Sequence, residues 1–224
     1  LQKGNQISFR PDIKIMDCTI RDGGLVNDFY FEDQFVRNLY LANIDAGVDY
    51  MEFGYKASKE LFDVSKSGKW KFCDEASIRE IVQDNPSDLK ISVMADVGRT
   101  DMEKDIIPRS ESVIDMIRVA TYINTIPAAI EMAEQCADLG YETCINIMAV
   151  STASELEIEL ALELIGQSKV EVIYLVDSYG SLYPEQAQHL AEIYLRIAEK
   201  YNKKIGIHAH NNQQLAFANT IEVM

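Results

Sequence analysis

The sequence predicts an α/β fold in which helices cover a parallel sheet. Short apolar runs rich in β-branched residues alternate with longer segments of helical periodicity, a pattern typical of strands joined by crossover helices. The chain has 224 residues and is 47% hydrophobic, which suits one large domain with an ample core. No linker, low-complexity tract or fine repeat divides it. This pattern alone fits both a closed barrel and a doubly wound sheet.

Seven segments are predicted as strands, because each is a short apolar run between polar or glycine-containing turns. In chain order they are residues 12–18, 48–53, 90–95, 114–120, 143–150, 170–176 and 204–209. A closed eight-stranded barrel would need one more strand and one more helix. We therefore expect about seven strands.

Helical periodicity fills most of the intervals between these strands. It covers residues 31–46, 74–84, 126–139, 154–166 and 184–200. The segment 154–166 begins with the capping-box pattern Ser154-Glu155-Leu156-Glu157. Pro184 suits a first helical turn, where its missing N–H costs nothing. Residues 99–107 fit neither pattern clearly, and the chain reaches Met224 inside a further helical pattern.

Composition excludes several classes of partner. A net charge of −15 argues against nucleic acid or an anionic membrane surface. No apolar run approaches the roughly 20 residues that span a bilayer. The four cysteines lack the spacing of metal fingers or redox motifs, so we expect buried free thiols and a cytoplasmic location. They are Cys18, Cys73, Cys136 and Cys144.

A metal site is predicted from two motifs at strand ends. His208 and His210 end the last predicted strand two residues apart, so their side chains point to the same face. Arg21 and Asp22 follow the first strand. Taken singly, Asp-Gly-Gly is usually a turn and His-x-His an ordinary polar pair. Together, at the carboxyl ends of parallel strands, they favour a divalent ion held by one aspartate and two histidines.

These motifs resemble the signature of the DRE-TIM metallolyase superfamily. The matching segments are Asp17-x-Thr19-x-Arg21-Asp22-Gly23, Met51-Glu52-Phe53-Gly54, Ile117-Arg118-Val119-Ala120-Thr121, Asp177-Ser178-x-Gly180 and His208-x-His210-Asn211. That group includes hydroxymethylglutaryl-CoA lyase, isopropylmalate and homocitrate synthases, and 4-hydroxy-2-oxovalerate aldolase. The resemblance runs from about residue 12 to the end of the chain. It implies a TIM (β/α)₈-type barrel rather than a doubly wound sheet.

With about seven strands present, we expect this barrel to be incomplete at its C-terminus. Residues 1–224 would then form a single metal-dependent aldolase/lyase-type barrel domain, truncated at that end. Bare parallel edges and exposed apolar surface favour association. We therefore expect a homo-oligomer, in the simplest case a dimer.

The resemblance also implies roles for individual residues. Asp22, His208 and His210 would ligate Mg²⁺ or Mn²⁺, with Zn²⁺ or Co²⁺ as alternatives. Arg21 and Asp22 would be catalytic, with Arg21 stabilising a developing enolate. Substrate-binding or ligand-orienting roles would fall to Ser178, Asn211, Glu52, Arg118 and Thr121. No cofactor other than the metal is expected.

The implied activity is a carbon–carbon lyase or aldolase that acts on a 2-oxo acid such as pyruvate, with an aldehyde partner, through a metal-bound enolate. The 4-hydroxy-2-oxovalerate aldolases are the group it resembles most. They carry a histidine base shortly after the Arg-Asp-Gly motif, and Leu25 stands there in this chain. Tyr55, Tyr122 and Asp28 are weak substitutes, and we expect His189 to be solvated.

Two alternatives to this activity remain open. One is an acyl-CoA-condensing synthase of the isopropylmalate or homocitrate type. The other is a catalytically inactive barrel with a binding role, which the missing base favours and the intact ligand set opposes. Asp177 also has two possible roles: it could anchor the end of its strand, or it could cap the turn before the next helix.

Overall fold

The computed structural model describes residues 10–224, in which seven strands form one parallel sheet. The strands pair in chain order from the first to the seventh. They are β1 (Met16–Asp17), β2 (Tyr50–Tyr55), β3 (Lys90–Asp96), β4 (Met116–Thr121), β5 (Glu142–Ile147), β6 (Val172–Asp177) and β7 (Lys204–Ala209). The helices are α1 (Thr19–Asn27), α2 (Asp33–Ala46), α3 (Glu75–Val82), α4 (Met102–Asp105), α5 (Ile126–Asp138), α6 (Glu155–Gly166), α7 (Pro184–Tyr201) and α8 (Ala216–Val223).

The two faces of the sheet differ in chemistry because side chains alternate along each strand. Ile117, Val119 and their neighbours in register belong to the apolar core beneath the helices. The opposite face carries polar side chains, among them Arg118 on β4, which pairs with Met94 on β3. Polar chemistry is therefore concentrated on the inner face of the sheet.

The sheet is curled, and it is open at one edge. Arg118 contacts Glu52 on β2 at 2.8 Å, and its guanidinium lies 4.5 Å from the ring centre of Tyr174 on β6. Contacts that skip a strand in both directions require a strongly curved sheet. Within residues 10–224, β1 and β7 are the two edges and do not pair with each other. The prediction of a barrel-type fold with seven strands and one open edge is thus confirmed.

The segment after β1 corrects the sequence interpretation. The strand predicted over residues 12–18 has only two residues, and Arg21 and Asp22 lie in α1, a helix that was not predicted. The carboxylate of Asp17 accepts hydrogen bonds from the backbone N–H and hydroxyl of Thr19, which begins the helix. Gly24 is required there because a Cβ would lie 2.2 Å from the Phe29 ring. Tight packing, which no local pattern reveals, thus overrides the low helix propensity of paired glycines.

Several local predictions are confirmed. The capping box of Ser154 and Glu157 begins α6, and Pro184 is the first residue of α7. The unassigned segment 99–107 contains the short helix α4. All four cysteines are free, with Cys18 partly buried and the other three buried. Among residues 10–224, no helix is both long enough and apolar enough to cross a membrane.

Candidate metal centre

Three side chains from the two edges of the sheet converge at the carboxyl ends of the strands. Asp22, His208 and His210 each offer a ligand atom, and these atoms lie within 4.8 Å of one another. His210 Nε2 is 3.4 Å from Asp22 Oδ1, and His208 Nε2 is 3.4 Å from His210 Nε2. Nitrogen and oxygen donors at these separations could surround one divalent ion after small side-chain adjustments.

Backbone contacts fix the histidine that follows β7. His210 Nδ1 donates a hydrogen bond of 2.8 Å to the backbone carbonyl of Asp177, which leaves Nε2 facing Asp22. This pattern is usual for metal-binding histidines, since it sets the tautomer. Gly180 allows the contact: a Cβ there would lie 2.7 Å from the carbonyl oxygen of His210. His208 lies within β7, opposite Val176.

The protonation states of the three groups suit a cation. Burial opposes ionisation of Asp22, but the hydrogen bond with His210 and the charge of Arg21 outweigh it and lower the pKa to about 2. Burial, followed by the charges of Arg21 and Arg118, lowers the pKa of His208 to about 3. His208 is therefore neutral, with a lone pair available. The hydrogen bond with Asp22 raises the pKa of His210, so a proton competes with a metal mainly at this residue.

A buried ion-pair network lies beside the triad. Arg21 Nη1 donates to Asp22 Oδ1 at 2.7 Å, and Arg21 Nε donates to Glu52 Oε2 at 2.7 Å. The same Glu52 oxygen accepts from Arg118, which also donates to Asn146 Oδ1 at 2.6 Å. Burial raises the pKa of Glu52, yet the charges of Arg118 and Arg21 prevail and lower it. Glu52 thus stays ionised and orients both guanidinium groups.

The remaining predicted site residues lie at the same end of the sheet but make other contacts. Ser178 Oγ accepts from the backbone N–H of Ala149 and steadies the loop after β5. Asn211 Oδ1 accepts from the N–H of Ala216 at the start of α8. Thr121 Oγ1 is 2.8 Å from Thr125 Oγ1. None of these three side chains is hydrogen-bonded to the triad among the described residues.

Asp177 fills both roles that its sequence position suggested. Its carboxylate accepts from the backbone N–H groups of Ser181 and Leu182, which caps the turn before α7. Its carbonyl meanwhile orients His210. The side chain is 1% exposed, so this strand end is held firmly.

The weak candidates for a base differ in placement. Tyr122 and Asp28 are exposed, and His189 is exposed and hydrogen-bonded to Glu155 on the surface, as its helical position predicted. Tyr55 lies closer, with its ring 6.0 Å from the Arg21 guanidinium, but burial raises its pKa to about 12. A phenol that holds its proton so firmly is a poor base at neutral pH.

Two inner-face residues escaped the sequence analysis. Asn146 on β5 binds Arg118, and Asp96 ends β3 with a buried carboxylate. The signal for both was a polar residue within or at the end of an otherwise apolar strand. It was overlooked because neither lies in a recognised motif.

Comparison with known proteins gives one family match. A family model described as HMGL-like matches residues 12–224. A 4-hydroxy-2-oxovalerate aldolase of Bacillus cereus is 27% identical over 218 residues, which cover 96% of this chain and 61% of the aldolase. The chain therefore spans less than two thirds of the length of this relative.

Solved structures share the fold. The N-terminal domain of a provisionally named aldolase from Bacteroides vulgatus is 28% identical, with a TM-score of 0.77, covering 94% of this chain and 68% of that one. The HMG-CoA lyase of Brucella melitensis is 15% identical with a TM-score of 0.67, covering 94% of this chain and 76% of the lyase. The second likeness bears on the fold alone.

Proposed function

This chain belongs to the HMGL-like family, and on that basis we propose that it is a divalent-metal-dependent carbon–carbon lyase of the aldolase type. Its substrate would be a 4-hydroxy-2-oxo acid, cleaved to pyruvate or a similar 2-oxo acid and an aldehyde. The observation that supports this proposal most directly is the convergence of Asp22, His208 and His210, with the Arg21 guanidinium 2.7 Å from the Asp22 carboxylate. Mixed carboxylate and imidazole ligation favours Mg²⁺ or Mn²⁺, with Zn²⁺ or Co²⁺ as alternatives.

The residues around the triad support this chemistry. A bound divalent ion would polarise the 2-oxo group as a Lewis acid and fix the orientation of the substrate. Arg21 would supply a fixed positive charge near the C2 oxygen of a substrate bound at the triad, where negative charge would develop as the C3–C4 bond breaks. Glu52 holds that guanidinium through its Nε, and the charge of Arg118 balances the buried carboxylate.

Metal binding is the first test. Mn²⁺ titration followed by electron paramagnetic resonance should show one site per chain, lost in His208→Ala and in His210→Ala. His189→Ala is the matched control, since that histidine is exposed and contacts Glu155 on the surface. Wild-type protein that binds no divalent ion at millimolar concentration would contradict the assignment.

Activity is the second test. The metal-loaded protein should release pyruvate from 4-hydroxy-2-oxovalerate, followed by coupling to lactate dehydrogenase. Condensation of acetyl-CoA with a 2-oxo acid, in place of this cleavage, would instead establish the synthase alternative. Metal binding with neither reaction would favour a binding role.

The dimer remains a proposal that rests on the two sheet edges. Light scattering at low protein concentration tests it, with a mass of twice the chain expected. A monomer of 25.3 kDa would exclude it.

A further inference from the structure

Asp96 occupies a position that the triad and its ion-pair network leave unused. It is the last residue of β3 and pairs in register with Ala120 on β4. Met94, two residues earlier, pairs with the inner-face residue Arg118. Because side chains alternate, Asp96 shares that inner face, at the carboxyl end of the sheet where the metal centre lies.

The carboxylate of Asp96 is buried and only half satisfied. The residue is 9% exposed, and its Oδ1 is buried without a hydrogen-bond partner among the described residues. Its Oδ2 has a single long contact, 3.5 Å from Nη1 of the largely exposed Arg99. A buried carboxylate oxygen without a partner is costly in free energy, so its presence calls for an explanation such as a catalytic role.

Burial and the surrounding charges suit this group to proton transfer. Burial, aided by the charge of Glu52, raises the pKa of Asp96 to about 6, although the charges of Arg99 and Arg21 lower it in part. It is therefore ionised at neutral pH yet accepts a proton readily. Asp22 and Glu52 are unsuited, because their pKa values are lowered and their oxygens already bind Arg21.

The order of groups around the sheet matches the order of groups along a substrate. The triad lies at α1, which follows β1, and at β7; Arg21 reaches from Asp22 to Glu52 on β2, and Asp96 follows on β3. A 4-hydroxy-2-oxo acid carries its groups in the same order. Its carboxylate and 2-oxo oxygens would lie at the triad and Arg21, and its C4 hydroxyl would lie toward β3.

We propose that Asp96 is the general base of the lyase reaction, a step that rests on the proposed function. Its carboxylate takes the proton of the C4 hydroxyl, and the C4–O bond becomes a carbonyl as the C3–C4 bond breaks. The electron pair of the broken bond passes into the 2-oxo group. Asp96 then returns the proton to C3, so that no further reactant is consumed.

The test compares Asp96→Asn with wild type, both loaded with Mn²⁺. Cleavage of 4-hydroxy-2-oxovalerate should fall by about 10²–10⁴-fold in kcat, the usual contribution of a general base. Decarboxylation of oxaloacetate breaks a C–C bond with no hydroxyl proton to remove, so its rate should stay within about threefold of wild type. The control Asp84→Asn, with a 97% exposed side chain, should change neither rate.

The outcomes separate this inference from the proposed function. Retained 4-hydroxy-2-oxovalerate cleavage in Asp96→Asn overturns the role of Asp96 alone. Loss of both reactions with Mn²⁺ still bound also overturns it, because a base is not needed for decarboxylation. Wild-type protein that binds Mn²⁺ but cleaves neither substrate overturns the proposed function itself.

A second variant keeps the inference testable if Asp96→Asn does not fold. In wild type kept saturated with Mn²⁺ at every pH, kcat/KM should fall with unit slope below about pH 6, as Asp96 becomes protonated. Arg99→Met removes an exposed positive charge that lowers this pKa, so the acidic limb should move to higher pH. An acidic limb that stays in place in Arg99→Met would contradict a base at Asp96.

Discussion

Replacing Glu52 with glutamine should destabilise the protein through the loss of one buried charge. Glu52 is 0% exposed, and its Oε2 accepts hydrogen bonds from Arg21 at 2.7 Å and from Arg118 at 2.8 Å. Glutamine has nearly the same shape, and its carbonyl can take the place of Oε2. Its amide would then occupy the position of Oε1, which has no partner. The substitution therefore removes charge while leaving packing almost unchanged.

The magnitude follows from the burial of this network. At an effective dielectric constant of ~20, each ion pair is worth about 6 kcal/mol before desolvation is subtracted. Removing one partner of a buried ion pair usually costs ~3–5 kcal/mol, because it leaves buried charge uncompensated. We expect that loss in the free energy of unfolding for Glu52→Gln. For a chain of this size it corresponds to a fall in Tm of roughly 6–20 °C.

Urea unfolding followed by circular dichroism, with metal removed by a chelator, measures the effect. Glu159→Gln is the matched control, since Glu159 pairs with Arg196 at 2.8 Å on the surface, with side chains 41% and 65% exposed. An exposed pair of this kind contributes about 0–1 kcal/mol. If the two variants lose equal stability, the buried network does not stabilise the fold more than an exposed ion pair does.

Three further predictions concern the metal centre. Arg21→Lys should keep Mn²⁺ binding and lower kcat by about 10²–10³-fold, since an ammonium cannot match the contacts that the guanidinium makes with both Asp22 and Glu52. Unchanged turnover would remove Arg21 from the mechanism. Below the raised pKa of His210, metal affinity measured by calorimetry should fall tenfold per pH unit, because one proton then competes with the metal. A hundredfold fall would require both histidines to be protonated, whereas His208 stays neutral down to about pH 3. Asp177→Ala removes the carboxylate that caps the turn and should cost about 1–3 kcal/mol in urea. It keeps the backbone carbonyl that binds His210, so Mn²⁺ affinity should change by less than about tenfold, and a larger loss would show that the capped turn is needed to orient His210.

The sequence alone predicted the parts of the fold that depend on local periodicity. Strand alternation, the cap at Ser154 and the first turn at Pro184 are encoded within a few residues, and all appear in the structure. The spacing of His208 and His210 predicted that both rings lie close together for the same reason, although His208 lies in β7 and His210 directly follows it. Helix α1 was missed because Gly23 and Gly24 oppose a helix locally and only the contact with Phe29 explains Gly24.

The family resemblance pointed to Glu52 and Arg118 as site residues, but their contacts could not be predicted because these join residues distant in the chain. Glu52 and Arg118 lie on different strands, and no spacing within either segment shows that both meet Arg21. The unpaired oxygen of Asp96 is likewise a property of what surrounds it in space. Patterns of residues identify which groups can do chemistry, whereas burial and partners decide which of them are free to do so.

The triad joins the two edges of an open sheet, and this has a consequence for cooperativity. Asp22 and His210 are separated by 188 positions in the chain, so an ion shared between them would act as a reversible cross-link around five intervening strands. Since such an ion binds the folded chain only, it should add about 2.7 kcal/mol at a concentration 100 times its Kd. Local opening of any strand between the edges would loosen that link. Hydrogen exchange should therefore slow along β2 to β6 when metal is added, well beyond the ligands themselves.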